Sequence, residues 1–174
     1  MLGSRGRLLD VVGLLARLGL AAVWLVSGGA KLADPGQAYL AVQAYELLPG
    51  SLVGVVATGL PLVEVVLGLL LLLGAGIRVT AVVSAVVLLA FIAAVAQSWA
   101  RGLTIDCGCF GGGGQVDPGE TRYPQEIARD VGFLAMACWL LVRPASPLSV
   151  DGWVRRRPGS ESAGQAEARE TEHV

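Results

Sequence analysis

The sequence predicts an all-α membrane protein: a four-helix transmembrane bundle with a short interfacial helix between helices 1 and 2. Three observations lead there. Hydrophobic residues make up 54% of the 174 residues and charged residues only 16%, against roughly 25% charged in soluble domains. Mean hydropathy is +0.64. The apolar residues fall into four runs that are apolar on every face rather than along one stripe, as expected of helices surrounded by lipid. A net charge of -1 leaves no basic excess for nucleic acid.

The first run extends from about Leu8 to Ala30, the second from Leu52 to Leu73, the third from Val79 to Trp99 and the fourth from Ile127 to Val142. The first three reach the ~20 residues that cross ~30 Å of hydrocarbon at 1.5 Å per residue. The fourth is shorter, so its helix is expected to begin near Pro124, since proline is tolerated in a first helical turn. Strands are disfavoured within the runs. An open sheet edge is unsatisfied in lipid, and a barrel requires alternating polarity, which these runs lack.

Arg5 and Arg7 ahead of the first run resemble the start of a signal peptide, but Arg17 interrupts the run and further apolar segments follow. The segment is therefore read as retained. Between the first two spans, Pro35 is placed to open a helix and Pro49 with Gly50 to close it. Tyr39, Val42 and Tyr45 share helical spacing there, which predicts an interfacial helix with tyrosines at headgroup level.

Two units follow from this reading: a membrane domain over 1–143, and a polar, cytoplasmic and disordered tail over 144–174 that carries the lone histidine, His173. Four spans place both termini on one side. Arg5, Arg7, Arg78, Arg143, Arg155, Arg156 and Arg157 lie on that side, and Lys31, Arg101 and Arg122 on the other, with Arg129 as a further candidate there. The positive-inside rule then puts the termini in the cytoplasm of a bacterial cell and the loop from Arg101 to Gln125 outside, where disulfides persist.

That loop holds the sharpest local feature, Asp106-Cys107-Gly108-Cys109-Phe110 followed by Gly111 to Gly114. Two thiols one residue apart can close a small strained disulfide ring, and strain favours exchange. The glycines supply unusual backbone angles and keep the loop mobile for a partner. Asp106 would raise a neighbouring thiol's pKa and Arg101, if near, would lower it. The alternatives are disulfides to other chains or idle thiols. A metal is not expected, because the loop offers two cysteines where zinc or an iron–sulfur centre wants four ligands. Cys138, some 12 Å below the outer surface at 1.5 Å per residue, reads as an inert small apolar side chain or as a resolving or electron-relay thiol beneath the pair.

Arg17 and Glu64 are the ionisable residues inside the spans. Each lies ~13 Å from the cytoplasmic edge of its run, so they are expected to form an intramembrane pair that fixes helix register or serves a proton or quinone.

Taken together, Arg17-Leu18-Gly19, Gly28-Gly29-Ala30-Lys31-Leu32, Asp34-Pro35, Tyr45 to Pro49, Pro61, Glu64, Cys107-Gly108-Cys109-Phe110-Gly111 and Arg129-Asp130 resemble the MauE branch of the DoxX-like, redox-associated membrane proteins. The resemblance covers about Leu8 to Val142. It implies a four-helix membrane bundle. It also implies a part in thiol–disulfide exchange with an extracytoplasmic thioredoxin-like protein, as in maturation of the disulfide-rich periplasmic methylamine dehydrogenase. No cofactor is required by the motifs, and a quinone is the candidate electron carrier. The rival readings are a membrane scaffold for an extracytoplasmic partner, in which the cysteines are dispensable, and a small transporter in which Arg17 and Glu64 line a polar path.

Overall fold

The computed structural model describes residues 2–143, with side chains described from Leu8. Five helices account for nearly all of it: α1 (Leu2–Ala33), α2 (Pro35–Ala44), α3 (Gly50–Leu73), α4 (Ile77–Ala100) and α5 (Tyr123–Val142). A two-residue antiparallel ladder, β1 (Ile105–Asp106) with β2 (Gly114–Gln115), lies in the loop between α4 and α5. The tail expected over 144–174, with His173, lies outside the described residues.

Each helix ends where its local chemistry dictates. The Asp34 side chain caps α2 by accepting from the Gln37 backbone N–H at 3.0 Å, with Pro35 in the first turn. This helix stops at Ala44, earlier than the Pro49-Gly50 stop expected from the sequence. Gly74 closes α3 in the left-handed conformation, and Gly76 opens α4 with φ 58°, which makes a tight reversal. Pro124 sits in the first turn of α5, as its position predicts.

Three helical segments are long and apolar enough to cross a bilayer: Leu8–Ala33, Gly50–Leu73 and Ile77–Ala100. Their large apolar residues, such as Leu15, Val55, Val79 and Val86, remain exposed, which suits lipid and not water. The protein is a multi-pass membrane protein. The fourth expected span is not shown: α5 is 20 residues long, but Glu126, Arg129 and Asp130 fall within its first two turns. It nevertheless runs back along α4. Trp99 stacks on Tyr123 at one end, while Ile77 and Ala81 share a core with Ala137 and Leu140 at the other.

That core also gathers Leu20 and Trp24 of α1, Leu67 and Leu71 of α3 and Leu88 of α4. The Trp24 indole N–H donates to Ser84 Oγ at 3.0 Å, which satisfies a polar atom that hydrocarbon would leave stranded. Small residues set how closely α1 and α3 approach, as in other helix pairs in lipid. A Cβ on Gly28 would fall 2.8 Å from the Pro61 carbonyl oxygen, and one on Gly68 would fall 2.7 Å from Leu25. These two contacts fix an antiparallel register in which Ser27 faces Glu64. They also carry the ends of α1 and α2 to the same end of the bundle as the cysteine loop.

Candidate functional site

Cys107 and Cys109 lie in a second, smaller core with Val95, Ile105 and Tyr123. Each is only 8% exposed, and both are free thiols. Gly108 bridges them with φ 65°. This turns the chain so that the Cys109 N–H donates to Cys107 Sγ at 3.3 Å, while the Cys109 thiol points at the Cys107 carbonyl 4.0 Å away.

The loop is closely packed against α2 and α5. Gly111 to Gly114 all hold positive φ, a conformation that L side chains resist. Gly108 and Gly113 pack on each other and on Ala41, leaving no room for a Cβ at either. Tyr123 locks the loop's base: its hydroxyl donates to the Leu103 carbonyl at 2.6 Å and accepts from the Ile105 N–H at 3.2 Å. The Gln37 amide donates to the Gly113 carbonyl from α2.

Three membrane-side elements grip the cysteines themselves. Ser27 Oγ of α1 donates to the Cys109 carbonyl at 2.7 Å. The Tyr45 hydroxyl, at the C-cap of α2, donates to the Cys107 carbonyl at 3.2 Å. Arg129 of α5 brings Nη2 to 3.6 Å from Cys107 Sγ, with its guanidinium 4.9 Å above the Phe110 ring. Sequence reading found Arg129 only as a family motif and did not place Ser27 or Tyr45 in the site. Arg101, which the sequence offers as a cation that would act on the thiols if near, is paired with Glu46 at 2.8 Å.

These contacts make the two thiols unequal. A hydrogen bond from the Cys109 thiol, with the Arg129 guanidinium behind it, holds the Cys107 thiol below the ordinary cysteine range despite burial. The same interaction, together with burial, pushes the Cys109 thiol well above that range. Burial and then the neighbouring sulfurs raise Tyr45, so its phenol stays protonated and keeps donating. Asp106, Cys107 and Glu126 bring three ligand atoms within 4.8 Å of one another, the nearest approach to a metal site among the described residues. The Arg129 cation beside the same sulfur opposes a metal ion there.

The intramembrane pair differs from expectation. Glu64 is fully buried, and its cation is Lys31, with Nζ 2.7 Å from Oε1 and 2.9 Å from Oε2. Ser27 joins them, its hydroxyl oxygen lying 3.1 Å from Glu64 Oε2 and accepting from Lys31 at 2.8 Å. Arg17 is buried ten residues, about 15 Å, before Ser27 along α1. The expected Arg17–Glu64 pair is thereby corrected to Lys31–Glu64. Depth counted from the ends of hydrophobic runs misplaced it, because Gly28 and Gly68 set the register. Cys138 occupies an exposed face of α5.

Two buried thiols, one of them beside a guanidinium and both tied to the helical bundle, form the candidate site of a multi-pass helical membrane protein. A family model described as "Methylamine utilisation protein MauE" matches residues 9–143, more than three quarters of the chain. The chain belongs to the MauE family. No match was found among curated proteins or solved structures.

Proposed function

We propose that this protein exchanges disulfides with a thioredoxin-like partner outside the cytoplasmic membrane, through Cys107 and Cys109. In this reading α5 is the fourth crossing, both termini are cytoplasmic, and the physiological client is a disulfide-containing extracytoplasmic enzyme such as methylamine dehydrogenase. The observation that carries it is the Arg129 guanidinium 3.6 Å from Cys107 Sγ, because the thiolate is the form that exchanges.

The Cys107 thiolate attacks one sulfur of a partner disulfide, and the partner's other sulfur leaves as a thiolate. Cys109, deprotonated in turn, attacks Cys107 Sγ and displaces the reduced partner. Cys107 and Cys109 are left joined. Every step reverses, so the same path oxidises a reduced partner. Burial of both thiols requires the Gly111–Gly114 turn to lift when the partner docks.

The test is trapping. Cys109→Ser should accumulate a reducible mixed disulfide with a thioredoxin-like protein through Cys107, and Cys107→Ser should not. Full physiological activity in the double serine variant would overturn the reading in favour of a non-catalytic scaffold, to which the clamped, buried loop would then belong.

A further inference from the structure

A cavity of about 400 Å³ opens between α3 and α4 and ends against the cysteine loop. Ala57 and Leu60 of α3 face Val87, Ala90 and Phe91 of α4 across it, and almost its whole lining is hydrocarbon. Its rim includes Leu47 and Val86, 46% and 60% exposed, so it is reached from the face that lipid covers. At its inner end stand its few polar groups: Cys107, Cys109, Tyr45 and Lys31. Lys31 Nζ lies 5.5 Å from the centre of the Phe91 ring. The volume is within the roughly 300–1,000 Å³ of small-molecule sites.

We propose that this cavity binds a lipid-soluble quinone, with its ring between Phe91 and the cysteine pair and its tail leaving past Leu47 and Val86. A bare acyl chain would match the walls but has no use for a cation, a phenol and two oxidisable sulfurs at the closed end. A planar, apolar two-electron acceptor uses all of them. The inference rests on the exchange reading above and gives it a direction. The Cys107 thiolate adds to a ring carbon of the quinone, and the Cys109 sulfur, giving up its proton, attacks Cys107 Sγ. The carbon–sulfur bond breaks, the disulfide closes, and the electron pair leaves on the hydroquinone. Its oxygens take one proton from Cys109 and one from water, the latter replacing the proton that Cys107 had lost. Lys31 stabilises the negative charge that develops on the quinone oxygen before those protons arrive. Electrons thus run from a reduced partner to the dithiol and on to the membrane's quinone pool.

The experiment uses full-length protein in phosphatidylglycerol nanodiscs and a short-chain azido-ubiquinone as photoprobe, with decylubiquinone as competitor. Peptide mapping should place the label on the α3 and α4 walls and the cysteine loop, and competitor should abolish it. Ala57→Phe and Ala90→Phe fill the cavity from opposite walls and should each cut labelling about tenfold. Where either variant fails to fold, competition on the wild type decides. In anaerobic single turnover the reduced wild type should convert one decylubiquinone to its quinol per dithiol, and Cys107→Ser/Cys109→Ser should convert none while still taking the label. Label spread over the outer helix faces and indifferent to competitor would mean lipid alone fills the cleft, and would overturn the proposal. Saturable labelling with no trapped partner would leave the quinone site standing and remove the exchange reading, so the two failures are distinguishable.

Discussion

Ser27 and Cys109, 82 positions apart, are joined by a 2.7 Å hydrogen bond that ties the cysteine loop directly to a membrane helix. The same hydroxyl contacts Glu64 and Lys31, so the buried ion pair and the thiol loop share one residue. Ser27→Ala leaves the Cys109 carbonyl without that donor, at a cost of ~1–3 kcal/mol. We expect earlier thermal unfolding and faster alkylation of both cysteines in detergent. Unchanged alkylation would show that the bond does not hold the loop.

Lys31 and Glu64 should be mutually dependent. Removing one member of a buried pair leaves an uncompensated charge, at ~3–5 kcal/mol, whereas removing both does not. Lys31→Met or Glu64→Leu alone should lower the yield of folded protein more than the double replacement. Arg17→Met combined with Glu64→Leu should show no such rescue. Rescue through Arg17 and not through Lys31 would contradict the geometry.

Arg129→Gln should raise the Cys107 thiol pKa, since the guanidinium that favours the thiolate is gone. The sign is that thiolate then forms only at higher pH, so iodoacetamide modification of Cys107 at neutral pH slows, by about tenfold for each pH unit that the thiol's titration moves up. Arg129→Lys should recover part of the rate. A pH profile identical to the wild type would remove Arg129 from the site.

Gly108→Ala brings its new Cβ to 2.8 Å from Ala41 Cβ and adds the cost of a positive φ, about 1–2 kcal/mol. Ala41→Gly removes the nearest clash and should restore much of the lost stability. Gly113→Ala, which meets the Gly108 backbone at 2.8 Å as well as Ala41, should be rescued far less. Equal rescue of the two would mean that the loop does not pack on α2 in this way.

Topology is testable at Glu120, an exposed loop residue, since both native loop cysteines are buried. Glu120→Cys in a cysteine-free background should react with an impermeant maleimide on intact cells. Reaction only after permeabilisation would invert the proposed orientation.

Three of the four expected spans were legible because crossing a bilayer is a matter of length and apolarity, both of which a linear sequence displays. Pro35 and Pro124 marked helix starts for a similarly local reason. The partner of Glu64 was not legible. It depends on how far α1 slides along α3, which Gly28 and Gly68 decide through contacts with residues more than thirty positions away. The glycine run was read as backbone freedom, and the close packing of Gly108 and Gly113 on Ala41 was not legible. The cation beside the thiol was not legible for a related reason: Arg101 is nearer than Arg129 to Cys107 in sequence, but α5 folds back and delivers the more distant one.

The grip on the cysteines from Ser27, Tyr45 and Arg129 also bears on how the protein is made. Two of these residues emerge from the ribosome long before the thiols, but Arg129 follows Cys107 by 22 positions and belongs to the last helix described. Until α5 has been threaded into place, the loop lacks Arg129 and the Tyr123 lock, and its thiols have neither their activating cation nor their cover. A chain stalled during insertion therefore holds its two thiols without the packing and the guanidinium that surround them in the folded protein.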